Sequence, residues 1–432
     1  MYNGGDILGS GGYGCIISPA LDCQRSKKPY NGVSKLMLKK HANVEFGEYK
    51  TLTPIIKKIP NYKNYFLLGQ IKKCVPRELP LDEFEHNRDC DKILGIKDTP
   101  LSSEKLREYL DQNKDNYFVL QMPNGGISLA SLIERAASAR KLSGSENLVV
   151  WLCAKLKDLL KNAVVPMNKL GVIHNDIKTD NILTIDDKVR LVDWGLTFEI
   201  PPAAPLKKLA IPYRTTRYVI QFNLPFSNIL FSMITSFDDP RKMFHKMSQS
   251  RENLRAVLEE FHEEHGEGHK SYLQGTLFPE FYPNKDYYDV LVDYIWPIIG
   301  GHSGGRARQR APRKNPDVDI GEYDFAPKVV DFFTKDYFKV CDIYGLLSCF
   351  FDVFVEKDDS GNYAAASAVR AAIKRMFVDY VWKNPTELDV EKINFYIDEI
   401  ARAAEYRRPV RVAMTRAIRR GGGGGRGTRR HL

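Results

Sequence analysis

The chain has 432 residues, 43% of them hydrophobic and 11% aromatic, so it can form two or three domains with a large core and is not predominantly disordered. Its formal net charge of +10 indicates acidic partners such as nucleic acid, anionic protein or phosphate, and carries no information on the fold.

The cysteines and the N-terminus bear on the cellular compartment. The seven cysteines are odd in number, scattered and without a Cys-x-x-Cys pair, which indicates a reducing compartment. The first residues lack the basic and apolar regions of a signal peptide. The longest apolar runs, such as residues 228–234, are too short to span a bilayer. We therefore expect a soluble intracellular protein without a membrane span.

A glycine-rich segment opens the chain, Gly9-Ser10-Gly11-Gly12-Tyr13-Gly14. The G-x-G-x-x-G pattern is weak evidence on its own, because it also occurs where a dinucleotide-binding strand enters a helix. Here the apolar flanks, residues 6–8 and 15–17, predict a strand, a turn and a second strand. In that geometry the backbone N–H groups of the turn can approach phosphates closely.

A basic residue and an acidic residue follow in positions that suit nucleotide binding. Lys35 lies in a short β-like run, residues 33–36, and we expect it to contact phosphates; Lys39 and Lys40 are the alternatives. Its ion-pair partner should be a Glu on the next helix. Glu48 fits better than Glu45, because Leu52 lies one turn after Glu48 and would pack inward.

Residues 116–123 predict a buried strand that runs into a connector, with Gln121 and Met122 at the end of the strand. A helix is predicted for residues 128–137. The charged, irregular residues 75–115 are interpreted as an insertion.

The most informative segment follows a helix predicted for residues 147–169; it reads His174-Asn175-Asp176-Ile177-Lys178-Thr179-Asp180-Asn181. Asp176 can accept a hydroxyl proton, and Lys178 can neutralise a moving phosphoryl group. Asn181 and Asp193 can chelate one or two Mg²⁺ ions. Residues 182–192 predict the hairpin that holds this loop next to Asp193. An ordinary turn with solvated charges is the alternative, but it does not account for this order of residues.

These motifs resemble those of the eukaryotic-type protein kinase superfamily, and their residues are most similar to those of the divergent Ser/Thr kinases of large nucleocytoplasmic DNA viruses. The resemblance implies an α+β, bilobal fold with a small antiparallel β-sheet lobe and a larger, mainly helical lobe. It also implies ATP, whose adenine base would bind the backbone at Gln121 and Met122, and Mg²⁺, with Mn²⁺ as an alternative cation. If the protein is viral, it would act in the host cytoplasm or the virion.

The resemblance sets the expected boundaries. The small lobe covers residues 1–123, the large lobe residues 124–417, and a basic Gly/Arg-rich tail residues 418–432. Asp342 lies at the start of the large lobe's central helix and should accept hydrogen bonds from the catalytic-loop backbone. Because Asp342 comes late, a long insertion is expected at about residues 226–338.

Several positions depart from the family pattern. Asn175 replaces the Arg that pairs with a phosphorylated activation loop, so we expect activity without loop phosphorylation. Trp194 replaces a Phe. Thr215, in a segment similar to Thr-x-x-Tyr, could bridge Asp176 and Lys178, with a plain polar loop as the alternative. No Ala-Pro-Glu follows this segment, and residues 222–226 lie roughly in its place. This puts the large lobe's Glu–Arg ion pair in doubt, although Arg408 resembles one half of it.

Other segments suggest additional functions. His262, His265 and His269 could contribute to a zinc site, but an exposed polar loop is the favoured interpretation. The basic segments 300–314 and 416–430 could bind nucleic acid or acidic partners weakly and without sequence specificity, or could be merely solubilising.

The sequence thus predicts a protein kinase that transfers the γ-phosphate of ATP to Ser or Thr of protein substrates. The alternatives are a pseudokinase scaffold that binds partners through the insertion and a kinase of a non-protein substrate.

Overall fold

A five-stranded antiparallel sheet, in the order β1-β2-β3-β5-β4, forms the N-terminal part of the protein. Its strands are β1 (Asp6–Gly11), β2 (Gly14–Ser18), β3 (Val33–Leu38), β4 (Lys72–Cys74) and β5 (Tyr117–Met122). The computed structural model describes residues 6–11, 14–26, 28–68, 71–79, 90, 103–139, 148–200, 220–237, 239–265, 268–300 and 325–405.

The two faces of this sheet have different surroundings because alternate side chains of a strand point to opposite sides. Leu36 of β3 and Val119 of β5 belong to a small outer core. Met37 and Leu120, one residue further on, belong to the main core. Lys35 pairs with Leu120 across the strands and therefore shares the inner face.

Helix α1 (Lys39–Ile56) packs against the inner face of the sheet. Its buried residues recur at helical spacing and form one stripe: Ala42, Glu45, Tyr49, Leu52 and Ile56. Glu45 is thus the acidic residue that the helix directs into the interior.

Two disulfides cross-link the sheet region, which contradicts the expected absence of disulfides. Cys15 pairs with Cys90, and Cys23 pairs with Cys74, over sequence separations of 75 and 51 residues. Such separations cannot be recognised from cysteine spacing. Cysteine usage therefore does not indicate a reducing compartment.

The rest of the described chain is mostly helical. The α-helices after α1 are α2 (Ser103–Asn113), α3 (Leu129–Ser138), α4 (Leu148–Leu159), α5 (Val165–Lys169), α6 (Ile229–Ser236), α7 (Pro240–Gln249) and α8 (Arg251–His265). They are followed by α9 (Lys270–Tyr272), α10 (Phe278–Phe281), α11 (Tyr287–Ile299), α12 (Pro327–Asp331), α13 (Tyr337–Val355), α14 (Ser367–Arg375) and α15 (Val390–Glu405). A π turn, Leu160–Val164, joins α4 to α5.

Short strands position the loop that carries Asp176. Strand β6 (Ile127–Ser128) pairs with β8 (Ile182–Ile185), which pairs with β9 (Lys188–Leu191). The hairpin turn uses Asp186 and Asp187 at positive φ, as predicted. Strand β7 (Val172–Ile173) pairs with β10 (Phe198–Glu199).

Helix α13 is the centre of the helical part. It is almost entirely buried along its length, and it contacts α3, α4, α5 and α14. Asp342 lies in this central helix, as predicted, but the helix begins earlier than expected, at Tyr337. The expectation of an antiparallel sheet followed by a mainly helical part is also confirmed, whereas the residue boundaries of the two lobes stay predictions.

Among the residues that the structure describes, no helix has the length and apolar character needed to cross a bilayer.

Candidate active site

A buried ion pair joins the sheet to helix α1. Lys35 Nζ lies 3.0 Å from Glu45 Oε1 and 2.9 Å from Glu45 Oε2. Both side chains are less than a tenth exposed. Burial alone would lower the pKa of Lys35, but the carboxylates of Asp193 and Glu45 outweigh it and raise that pKa. Lys35 is therefore held as a cation.

The prediction that Glu48 is the partner of Lys35 was wrong. The helix runs from Lys39 to Ile56, and its buried stripe contains Glu45. Glu48 lies beside that stripe, and its Oε2 is buried without a hydrogen-bond partner among the described residues. Burial and the nearby carboxylates of Glu45 and Asp193 raise the pKa of Glu48 to about 7.

Asp193 approaches the same lysine from the helical part of the protein. Its Oδ1 lies 3.6 Å from Lys35 Nζ, and the charge of Lys35 lowers the pKa of this carboxyl. Asp193 has a φ of 60°, a conformation that Asp tolerates better than most residues. The next residue, Trp194, is fully buried and packs between His174 and Phe66, which fixes the turn.

The glycine-rich segment has the predicted strand-turn-strand form. Gly9, Ser10 and Gly11 lie in β1, Gly14 begins β2, and Gly11 pairs with Gly14. A Cβ on Gly14 would lie 2.7 Å from Met37 Cγ, so no larger residue fits there. Gly12 and Tyr13 at the tip lie outside the described residues.

Gln121 and Met122 end strand β5, as predicted. The side chain of Gln121 donates to the carbonyl of Leu21 at 2.8 Å, on the outer face and away from Lys35. Met122 lies on the opposite face and packs against the main core. Adenine binding by the backbone after this strand stays a prediction.

The carboxylate of Asp176 accepts hydrogen bonds at both oxygens. Lys178 Nζ donates to Oδ2 at 3.2 Å, and Asn181 Nδ2 donates to the same oxygen at 2.8 Å. Asn181 Nδ2 also donates to the Asp176 carbonyl at 2.8 Å. On the other side, Asn223 Nδ2 donates to Oδ1 at 2.8 Å. The structure therefore brings together three of the predicted site residues and one that was not predicted.

Asp342 holds the backbone of the catalytic loop, as predicted. It accepts from His174 N and from Asn175 N, both at 2.8 Å. Asn175 has a φ of 61° and is buried; its Oδ1 accepts from Cys341 Sγ at 3.4 Å. Asn175 presents no charge, so the loop offers no cation at the position where an Arg would pair with a phosphate.

The chain that follows Asp193 contacts Asp176, as expected, but the contact in the described structure comes from a residue that the sequence did not indicate. Thr215, expected to bridge Asp176 and Lys178, lies outside the described residues. Asn223 contacts Asp176 from the next described segment. Sequence reasoning missed it because a contact between residues 47 positions apart leaves no local pattern.

The predicted insertion, residues 226–338, packs next to this site. Gly268 forms a bridge with Ile220, and His269 N donates to the Ile220 carbonyl at 3.0 Å. Phe222 N donates to His269 Nδ1 at 3.2 Å. These contacts attach the insertion to the segment that carries Asn223.

The three histidines of the insertion do not share one setting. His262 is buried on α8 beside Tyr287 and Tyr288, so the expectation of an exposed loop was wrong for this residue. Burial lowers the pKa of His262 to about 4. His265 stacks on Phe261, and His269 contacts Phe222.

A Glu–Arg ion pair, which the sequence left in doubt, is present within the described helices. Glu280 Oε2 accepts from Arg370 Nη2 at 3.0 Å, and Glu280 Oε1 accepts from the hydroxyl of Tyr363. Glu280 follows Phe278-Pro279, which differs from Ala-Pro-Glu only in its first residue, and this was the signal that could have identified it. Arg408, the expected basic half, lies outside the described residues.

The two basic segments, 300–314 and 416–430, also lie outside the described residues, apart from Gly300. Binding of nucleic acid or of acidic partners through them stays a prediction.

The described structure is compatible with the bilobal fold of protein kinases, and sequence comparison supports a relationship with that superfamily. No protein-family model matches the chain. Curated proteins with significant similarity include three named as serine/threonine-protein kinases and one named as a ribosomal protein S6 kinase, and each of these aligns with about a quarter of this chain or less.

Three of these relatives show how the identity and the length of the match vary. The putative serine/threonine-protein kinase 040L of Invertebrate iridescent virus 3 is 32% identical over 123 residues, 25% of this chain and 35% of the relative. The ribosomal protein S6 kinase alpha-4 of Mus musculus is 29% identical over 117 residues, 26% of this chain and 14% of the relative. The mouse serine/threonine-protein kinase LATS1 is 39% identical over 90 residues, 20% of this chain and 7% of the relative. The chain thus spans about a third or less of the lengths of these relatives.

Proposed function

We propose that this protein is an ATP-dependent protein kinase that transfers the γ-phosphate to Ser or Thr hydroxyls of protein substrates. The observation that carries the proposal is the contact set of Asp176, which accepts from Lys178 and Asn181. The ion-pair network of Lys35, Glu45 and Asp193 adds the second half of a phosphoryl-transfer site.

The donor set suits a divalent cation and a phosphate chain. Asn181 uses its amide nitrogen on Asp176, so its amide oxygen is the atom left to bind a cation. The Asp193 carboxylate is the second oxygen ligand, and Mg²⁺ prefers oxygen ligands of this kind. Bound Mg²⁺ would neutralise phosphate charge, with Mn²⁺ as the alternative. Lys35 would contact the phosphates of ATP beneath the glycine-rich segment.

The reaction assigns one role to each residue of the loop. Asp176 orients the substrate hydroxyl and accepts its proton while the hydroxyl oxygen bonds to the γ-phosphorus. The bond from that phosphorus to the bridging β–γ oxygen breaks, and ADP leaves. Lys178 balances charge on the transferred group. Positioning and charge neutralisation supply most of such catalysis.

Lys178 favours a protein Ser/Thr substrate, because protein Ser/Thr kinases have a Lys at this position, whereas many small-molecule kinases of related fold lack it. A pseudokinase scaffold is the second candidate function. In that case the insertion, which is attached to residues 220–222, would bind the partners, but the full set of polar residues favours an enzyme.

The test is transfer from labelled ATP in the presence of Mg²⁺ or Mn²⁺ to a generic basic protein, followed by hydrolysis and identification of the phosphoamino acid. We expect phosphoserine or phosphothreonine from the wild type and none from Asp176→Asn. No transfer by the wild type to any of several protein substrates would favour the scaffold. Transfer to a lipid or small molecule alone would identify a kinase of a non-protein substrate.

A further inference from the structure

Asn223 is a buried amide whose orientation is determined by its surroundings. It has no exposed surface. Its Nδ2 lies 2.8 Å from Asp176 Oδ1 and 3.4 Å from the Ile177 carbonyl oxygen. Both neighbours are acceptors, so the amide must direct its nitrogen towards them, since only the NH₂ group can donate.

The position of Asn223 is fixed from two sides. On one side, a Cβ on Gly345 of α13 would lie 3.1 Å from the Asn223 carbonyl oxygen and 2.8 Å from the Ile177 carbonyl oxygen. The central helix therefore approaches both segments as closely as glycine permits. On the other side, His269 accepts from Phe222 N, which attaches the preceding residue to the insertion.

The three side chains that donate to the Asp176 carboxylate do not share one oxygen, and they differ in their proposed roles. Lys178 and Asn181 donate to Oδ2, and these two residues also face the phosphate and cation in the proposed function. Asn223 donates to Oδ1 and comes from a segment that has neither role. Without this donor, the side-chain torsion of Asp176 would be held from one side only.

We propose that Asn223 is a positioning residue for the catalytic carboxylate, and that the insertion holds it in place through His269. This inference rests on the proposed function. It assigns to Asn223 the contact with Asp176 that the sequence led us to expect from Thr215, and it makes the insertion part of the catalytic apparatus.

The test compares two buried amides of the same segment. Asn223→Ala removes the donor to Asp176, and Asn223→Asp keeps the size while replacing the donor by an acceptor. Asn228→Ala is the matched control, because Asn228 is equally buried and accepts from the Tyr337 hydroxyl but is not hydrogen-bonded to the loop of Asp176. Rates are normalised to the folded fraction, which thermal unfolding measures.

We expect kcat to fall by about 10- to 100-fold in both Asn223 variants, with the KM for ATP changed less than about twofold, because the nucleotide contacts are intact. Asn228→Ala should lower the unfolding temperature without lowering kcat. A kcat of Asn223→Ala equal to that of the wild type would overturn the inference, as would an equal loss in the Asn228 control.

A second measurement does not depend on activity. In a double-mutant cycle of Asn223→Ala with Asp176→Ala, the effects on the unfolding equilibrium constant should be non-additive by at least about twofold. Non-additivity in a protein that shows no transfer would retain the contact and reject the proposed function. Strict additivity would reject the positioning contact whatever the activity.

Discussion

Lys35 and Glu45 form a bidentate ion pair, with Lys35 Nζ 3.0 Å and 2.9 Å from the two carboxylate oxygens of Glu45. Within the described residues, Glu48 on the same helix forms neither a hydrogen bond nor an ion pair with Lys35. The pair links helix α1 to strand β3. Because Asp193 also faces Lys35, the position of the helix is coupled to the turn that carries the proposed metal ligand.

Replacing the two glutamates separately should show which one matters for activity. We expect Glu45→Gln to lower kcat/KM for ATP by about 10- to 100-fold, because the buried, charge-assisted contact with Lys35 is lost. Glu48→Gln is the matched control and should change kcat/KM less than about threefold. Steady-state kinetics at saturating protein substrate measures both, and the reverse order of effects would restore Glu48 as the partner.

Glu48 should make the stability depend on pH. Its pKa in the folded protein is about 7, above the ordinary value of 4.5. A carboxyl whose pKa is raised by folding favours the protonated form, so stability is lost as pH rises from about 4.5 through 7. We expect Glu48→Gln to be more stable than wild type at pH 8 by about 1 kcal/mol, after allowance for solvent screening.

This difference should disappear near pH 4, where Glu48 is protonated in both states. Urea unfolding at pH 4, 6 and 8 measures it. A constant offset across these pH values would show that the change came from packing and not from ionisation.

His262 should have the opposite pH dependence. Its pKa is lowered to about 4 by burial, so stability is lost as pH falls from about 6.5, the ordinary value, through 4. We expect His262→Phe to reduce the loss of stability between pH 7 and pH 4 by up to about 3 kcal/mol. Thermal unfolding across this range measures the effect. An unchanged pH profile would show that His262 becomes charged without cost.

The disulfides predict a thiol count. Cys153, Cys341 and Cys349 are free and buried, and four of the seven cysteines are paired. Protein unfolded without reductant should therefore react with about three equivalents of a thiol reagent, and fully reduced protein with all seven. Seven equivalents without prior reduction would show that the pairs do not form in the isolated protein.

The neutral Asn175 predicts that loop phosphorylation is not needed for activity. Its buried side chain offers no cation to a phosphate. We expect phosphatase treatment of the purified enzyme to change its initial rate less than about twofold. Mass spectrometry before and after treatment provides the control for removal of phosphate, and a large loss of rate would identify a cationic partner elsewhere.

Local patterns predicted much of the fold and part of the candidate site. The strands around the glycine-rich segment and the hairpin of β8 and β9 follow from short motifs, whereas the contact of Asp342 with the catalytic loop follows from the family resemblance. Glu45 was missed because Leu52 lies one helical turn after Glu48 and two turns after Glu45, so apolar spacing alone did not decide between the two glutamates. The disulfides and the contact of Asn223 join residues 47 to 75 positions apart, and no local spacing encodes such contacts. For the pair of Glu280 with Arg370, the residues before Glu280 mark the acidic partner but not the basic one, which lies 90 positions away.

The location of Glu280 and His269 has a practical consequence for work with this protein. Both residues lie between positions 226 and 338, the stretch that the sequence analysis interprets as a long insertion. Excising it would leave Arg370 without its carboxylate and would release Phe222 from His269. The insertion is therefore not an independent module, because a shortened chain would lose contacts that hold the remaining helices and the surroundings of Asp176. Point substitutions are the sounder way to study this region.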